Sequence, residues 1–212
     1  MAARTLGRHF GTRRFRKIFV VASEGKNTEP QYFGILKDKK VFPGDFMVVP
    51  LPGKSDSSPP DVLERMRDYL EREAPDQPYE AWLVVDKDDW KEEQLAPLVE
   101  WVKQDPATRF LALSNPKFEY WLLLHFEEGD GVGTPQECDR RLAKCPCGYD
   151  KHSGLFNAAK MTRELVEAAV KRAKKRDSPQ CRDWPRKSGQ TTVYRLVEKI
   201  LEASETGKGR GE

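Results

Sequence analysis

The sequence has few cysteines and histidines and lacks any long apolar run. Four cysteines and three histidines among 212 residues do not make a disulfide scaffold. No segment approaches the roughly 20 consecutive apolar residues that a membrane-spanning helix requires. The N-terminal segment is basic and lacks the apolar region of a secretory signal. We therefore expect a cytoplasmic protein with no membrane partner.

The spacing of the cysteines does not favour a structural zinc site. Cys145 and Cys147 form a Cys-x-Cys pair, whereas zinc ligands are usually separated by two to four residues. Cys138, Cys181 and His152 do not complete a usual zinc pattern either. We expect free thiols, and zinc binding stays the less favoured alternative.

Charge is distributed unevenly along the chain, although the formal net charge is only +3. Residues 4–17 contain six Arg or Lys and no acid, and residues 171–187 contain eight against two acids. Residues 61–105 instead contain fourteen acids and six bases. Basic segments around an acidic centre are typical of phosphate-backbone binding, but solvated helix faces explain them equally well. The predicted nucleic-acid-binding residues are Arg13, Arg14, Lys26, Lys174, Lys175 and Arg176.

Strand and helix patterns alternate strictly in the first part of the chain. Such alternation predicts an α/β fold, Rossmann-like, with a mainly parallel four-stranded sheet flanked by helices. The predicted strands are 17–23, 46–50, 79–85 and 109–113. The predicted helices are 28–39, one capped by Asp61, 92–104 and one that begins at Asn115 and Pro116.

The second part of the chain reads as a helical elaboration. We predict four units, which are a basic flexible arm (1–16), an α/β core (17–130), a helical C-terminal extension packed on it (131–204) and a disordered tail (205–212). The predicted helices of the extension are 134–144, 155–176 and 191–203.

Acidic residues follow two of the predicted strands, at the strand ends where open α/β sheets bind ligands. Glu24 follows the first strand, and Asp86, Asp88 and Asp89 follow the third. In an extended segment Asp86 and Asp88 would point the same way and offer two carboxylates to one cation. These four residues are the predicted ligands of Mg²⁺ or Mn²⁺, with Glu24 also a candidate general base. A solvated acidic loop is the alternative.

The order of these acids along the chain distinguishes several classes of α/β protein. Haloacid-dehalogenase-type phosphatases place Asp-x-Asp after their first strand, and receiver domains order their acids differently. Here a single Glu follows the first strand and Asp-x-Asp follows the third. This is the order used by Toprim domains, which support topoisomerase, primase and nuclease chemistry.

Several sequence blocks, in order and spanning residues 18–201, resemble the RloB-like family. The blocks are EGKNTEPQYF (24–33), DKDDW (86–90), SNPKFE (114–119), WLLLHF (121–126), YDK (149–151) and TTVYRLV (191–197). The resemblance implies a Toprim-like protein of prokaryotic defence loci, beside an RloA-type ABC ATPase, that acts as a nuclease effector, with tRNA among its candidate substrates. Glu24 then matches the Toprim glutamate, and Asp86 and Asp88 match the Asp-x-Asp motif. Lys117 departs from the cysteine usual in this family, and residues 188–190 depart from its usual Asn or Lys.

Three further residues are candidates for the same site. Glu119 lies near the start of the helix after the fourth strand, where a further acid could bind metal or water. His125 is a catalytic candidate, although a histidine in so apolar a segment is more often a hydrogen-bonded core residue. Lys151 is a candidate cation for the scissile phosphate, with a plain surface lysine as the alternative. Lys26 and Arg109 are weaker candidates of the same kind.

The resulting prediction is a Mg²⁺- or Mn²⁺-dependent nuclease whose catalytic residues are Glu24, Asp86, Asp88, Glu119, Lys151 and His125. Two rival functions stay open. One is a non-catalytic regulatory or adaptor subunit of an ATPase, and the other is a primase or other nucleotidyl transferase on the same acids. The sequence does not decide between DNA, RNA and tRNA as the substrate.

Overall fold

A computed structural model describes residues 17–53 and 58–205. The predicted basic arm with Arg13 and Arg14, and all but the first residue of the predicted tail, lie outside the described residues.

The centre of the fold is one five-stranded sheet, in the order β2-β1-β3-β4-β5. Strands β1 to β4 are parallel, and β5 pairs antiparallel with the end of β4. The prediction of an α/β fold with a mainly parallel sheet is confirmed, but the count of four strands is wrong. A strand as short as β5 shows no periodicity in the sequence. The strands are β1 (Lys17–Ser23), β2 (Phe46–Leu51), β3 (Tyr79–Asp86), β4 (Arg109–Asn115) and β5 (Gln190–Thr191).

Helices cover both faces of the sheet. The helices are α1 (Thr28–Ile35), α2 (Pro59–Glu73), α3 (Glu92–Gln104), α4 (Phe118–Leu123), α5 (Pro135–Leu142), α6 (Arg163–Arg176) and α7 (Val193–Glu205), with a 3₁₀ turn at Ala158–Lys160. On one face Val20 of β1 shares a buried cluster with residues of α2 and α3, and on the other Phe19 and Val21 share one with residues of α1 and α4 to α7. Because alternate residues of a strand point to opposite faces, both faces of β1 are apolar.

Two predicted helix starts are wrong because the capping residues lie elsewhere. Asp61 does not cap α2. The helix starts one turn earlier, and the backbone N–H of Ser58 donates to Asp61 Oδ2 at 2.7 Å. Asn115 and Pro116 do not open α4 either, because Asn115 ends β4 and α4 begins only at Phe118, with Lys117 as its N-cap.

Three other predicted helices have different bounds. The helix predicted to reach residue 39 ends at Ile35. The long helix predicted over 155–176 is interrupted, and α6 starts only where the Thr162 hydroxyl accepts the backbone N–H of Leu165. The last helix begins at Val193, since Thr191 belongs to β5.

The C-terminal extension shares its core with the α/β part of the chain. Val193, Leu196 and Ile200 of α7 lie in the same buried cluster as Phe19 and Val21 of β1. The extension also contributes β5 to the sheet, so it is not purely helical. In the described part of the chain, no helix is long and apolar enough to cross a bilayer.

Candidate metal centre

The ends of β1 and β3 bring two predicted site residues into contact. The two strands are parallel neighbours, with Ser23 paired to Val84. Glu24 and Asp86 therefore lie side by side, and the backbone N–H of Asp86 donates to Glu24 Oε2 at 3.1 Å. The predicted meeting of these residues at the strand ends is confirmed.

A third acid, Glu29, joins them from the first turn of α1. Glu29 is buried, and its Oε1 accepts the backbone N–H of Gly25 at 2.9 Å. A Cβ on Gly25 would lie 2.1 Å from Glu29 Oε2, so a larger residue at position 25 would displace the Glu29 carboxylate. Glu29 is not among the residues predicted from the sequence. The available signal was an acid in the first turn of the helix that follows Glu24.

Glu119 reaches the site from the first turn of α4. The residue is only 8% exposed, and both of its carboxylate oxygens have donors. The Tyr149 hydroxyl donates to Oε1 at 2.6 Å, and the ammonium of Lys117 lies 3.3 Å from Oε2. The predicted extra acid is thus held rigidly at the site, and Tyr149 and Lys117 are partners that the sequence analysis did not assign.

Glu24, Glu29, Asp86 and Glu119 form what we call the acidic cluster, and each of the first three has a raised pKa. Burial, followed by the charges of Glu29 and Asp88, raises the pKa of Glu24 to about 8, against the lowering effect of the Asp86 N–H. Burial and then the charge of Glu119 raise the pKa of Glu29 to about 7. Burial and then Glu24, Glu29 and Glu119 raise the pKa of Asp86 well above its usual value. The cluster therefore disfavours its own ionised state and would be stabilised by a cation.

One oxygen of the acidic cluster has no hydrogen-bond partner. Glu24 Oε1 is buried, and no described residue donates to it with normal geometry, although the Trp90 indole is near enough to lower the pKa of this carboxyl. Unpaired buried carboxylate oxygens are costly. Within residues 17–53 and 58–205, no three His, Cys, Asp or Glu side chains already converge as metal ligands. Binding a cation would therefore require these side chains to rotate toward a common point.

The segment after Asp86 is a turn and not a continuation of the strand. Asp88 has a φ of +32°, and its N–H donates to the Pro116 carbonyl at 2.8 Å. The prediction that Asp86 and Asp88 align through strand alternation is therefore wrong. Both Asp88 and Asp89 are exposed, and Asp88 is near enough to Glu24 to raise its pKa.

Lys151 is linked to this site by an ion pair with Asp139. It is 61% exposed, and its Nζ is 2.8 Å from Asp139 Oδ2. The other oxygen of Asp139, Oδ1, is 2.8 Å from Nζ of Lys117. Asp139 itself is buried, in α5 of the C-terminal extension, and the sequence analysis did not single it out.

Arg65 of α2, which is also not among the residues predicted from the sequence, lies close to Glu24. Its Nη2 donates to the Ser23 carbonyl at 2.5 Å, and its buried Nε has no partner among the described residues. Burial lowers the pKa of Arg65, and the charges of Asp61 and Glu24 partly offset this effect.

The family model described as RloB-like protein matches residues 19–200. The chain belongs to the RloB-like family. This match confirms the resemblance inferred from the sequence blocks. No curated protein and no solved structure matches the RloB-like chain.

His125 of the RloB-like chain is a fully buried residue. Its Nε2 lies 3.2 Å from the Tyr32 hydroxyl, and its Nδ1 lies 3.0 Å from the Trp121 carbonyl. Burial lowers the pKa of His125 to about 4. This is the environment of a neutral core histidine, as the alternative interpretation held, and it leaves the ring no route to a substrate.

The predicted nucleic-acid-binding cations of α6 are engaged in ion pairs. Lys174 pairs with Glu198 at 2.6 Å, and Lys175 lies 3.7 Å from Glu128. Arg176 pairs with Asp130 at 2.6 Å and donates to the Gly189 carbonyl at 2.9 Å. A substrate phosphate would have to compete with these partners. Of the other candidates, Lys26 is exposed, and the guanidinium carbon of Arg109 lies 4.9 Å from the centroid of the Trp101 ring.

None of the four cysteines forms a disulfide bond. Cys138 and Cys147 are buried, and Cys145 and Cys181 are partly buried. Burial raises the pKa of all four thiols, which keeps them protonated near neutral pH.

Proposed function

We propose that the RloB-like chain is a divalent-cation-dependent nuclease that uses a Toprim-type site of Glu24 and Asp86. The observation that carries the proposal is the contact between these two residues at neighbouring strand ends, with Glu24 Oε1 buried and unpaired. The position agrees with the ligand site of open α/β sheets. Family membership supports the same reading, because the resemblance implies a nuclease effector.

The donor set fits Mg²⁺ or Mn²⁺. Both ions prefer carboxylate oxygens, and the acidic cluster provides several that repel one another without a cation. Glu24 and Asp86 would hold the ion, with the exposed Asp88 or Asp89 at the opening of the site. A cation bound there supplies Lewis-acid stabilisation of the charge that develops during phosphodiester hydrolysis.

The protein's own residues would bind and orient the substrate around this position. The exposed ammonium of Lys151 is attached to the site through Asp139 and can meet a phosphate from solvent. Glu119 is fixed by Tyr149 and Lys117, so it keeps its position when a substrate enters. Glu24, with a pKa raised to about 8, can hold a proton at Oε1 near neutral pH and lose it when a cation binds.

We expect the purified chain to cleave nucleic acid only when Mg²⁺ or Mn²⁺ is present. The measurement is a gel assay with tRNA, other single-stranded RNA, single-stranded DNA and duplex DNA, each with the cation and with excess EDTA. Products that form equally in EDTA would contradict the proposal. Primer extension from nucleotides in place of cleavage would assign the acids to a nucleotidyl transferase.

We further propose that the chain acts in prokaryotic defence together with an ABC-type ATPase, as the family resemblance implies. If an ABC-type ATPase is encoded beside the gene of this chain, we expect the two proteins, when co-expressed, to elute together from a size-exclusion column. Separate elution at micromolar concentrations would contradict the partnership. If the complex forms and binds cation but never cleaves the substrate panel with ATP, the chain is a regulatory subunit.

A further inference from the structure

Lys117 places a positive charge against the acidic cluster. Its side chain is 19% exposed, and its Nζ lies 2.8 Å from Asp139 Oδ1 and 3.3 Å from Glu119 Oε2. An ammonium so far removed from water is stable only when opposite charges surround it. Lys117 therefore acts as a fixed cation between two nearly buried carboxylates.

These contacts divide four of the acids into two parts, which we name the filled half and the open half. The filled half is Glu119 and Asp139 with Lys117 between them, and the open half is Glu24 and Asp86. In the filled half all four carboxylate oxygens have donors, because Tyr149 donates to Glu119 Oε1 and Lys151 contacts Asp139 Oδ2.

No described Lys or Arg forms an ion pair with the open half, although Lys117 is near enough to act on the charge of Asp86. Glu24 Oε2 accepts a hydrogen bond from the backbone N–H of Asp86, and no described residue donates to Oε1 with normal geometry. The nearby Arg65 guanidinium donates to the Ser23 carbonyl instead. The unpaired oxygen of the acidic cluster thus lies in the open half, on Glu24 and beside Asp86.

We infer that Lys117 stands where a two-cation phosphodiesterase would hold its second ion, so that this chain binds a single divalent cation, in the open half. In two-metal sites the ions lie about 3.5–4 Å apart and share the charge of the reacting phosphate. Here the ammonium of Lys117 provides the second positive charge permanently and excludes a second ion by repulsion. The inference rests on the proposed function and specifies the stoichiometry of its site.

The test is to count bound Mn²⁺ by electron paramagnetic resonance of the full chain, without nucleic acid. We expect one ion per wild-type chain and two for Lys117→Met, because removing the ammonium frees oxygens of Glu119 and Asp139. Lys117→Arg keeps the charge, and Lys151→Met removes only the exposed cation, so each should bind one ion.

Two ions on the wild-type chain would overturn the inference while leaving a cation-dependent nuclease intact. A folded Lys117→Met variant that binds a single ion with unchanged affinity would also overturn the inference and leave a cation-dependent nuclease intact. If Lys117→Met does not fold, the wild-type and Lys117→Arg counts still decide the question, since both must equal one. If no chain binds Mn²⁺, both this inference and the proposed function fail.

Discussion

Replacing Asp86 by Asn should abolish cleavage, lowering the rate by about 10³-fold or more. The substitution keeps the size of the side chain but removes one of the two charges that would hold the cation. A bound metal contributes several kcal/mol of transition-state stabilisation, and each 1.36 kcal/mol corresponds to a factor of ten in rate. The measurement is the initial cleavage rate at saturating Mg²⁺ on the substrate that the wild-type chain cleaves.

A matched control separates this loss from unfolding. Asp68 is an exposed acid on α2, away from the strand ends, so Asp68→Asn makes the same chemical change outside the acidic cluster. We expect Asp68→Asn to cleave at the wild-type rate and both variants to keep the wild-type circular dichroism spectrum. Wild-type cleavage by folded Asp86→Asn would remove Asp86 from the proposed mechanism.

Replacing Glu24 by Gln should stabilise the cation-free protein at pH 8. The pKa of Glu24 is raised from 4.5 to about 8 in the folded chain, so between these values the folded state binds more protons than the unfolded state. The stability of the wild-type chain therefore falls as the pH rises from about 4.5 to about 8, and the whole penalty is present above pH 8. Because the cluster can relax, we expect Glu24→Gln to gain about 2 kcal/mol, or roughly 4–8 °C in Tm.

Adding the cation should make the wild-type chain more stable than Glu24→Gln at the same pH. Mn²⁺ at about 100 times its Kd adds about 2.7 kcal/mol to the stability of a chain that binds one ion. We expect this gain for the wild-type chain and for Glu71→Gln, an exposed control on α2, but not for Glu24→Gln. Thermal unfolding at pH 5, 6.5 and 8, with and without Mn²⁺, measures both effects. If the Tm of cation-free Glu24→Gln does not exceed that of the cation-free wild-type chain at pH 8, this account of Glu24 is contradicted.

Family membership and the position of the site followed from the sequence. The ordered blocks predicted the family that the match over residues 19–200 confirms. Strand and helix alternation predicted the parallel sheet, and with it that Glu24 and Asp86 lie at the same edge of that sheet. Only the structure shows that β1 and β3 are neighbours, which brings the two residues into contact. Both inferences depend on local pattern and on one topological rule, which a sequence carries directly. Nuclease activity and the ATPase partner stay predictions.

The tertiary structure alone decided the electrostatic environment of these acids. Asp139 and Tyr149 come from the C-terminal extension and contact Lys117 and Glu119, which are more than 20 residues away in the sequence. No local sequence pattern therefore indicates these contacts. The turn that redirects Asp88 depends on a hydrogen bond to Pro116 in another segment. Likewise the fully buried position of His125 results from α1 packing on α4, through the contact of its ring with Tyr32. Sequence periodicity records which face of an element is apolar, whereas the pairing of buried charges depends on contacts between distant segments that only folding creates.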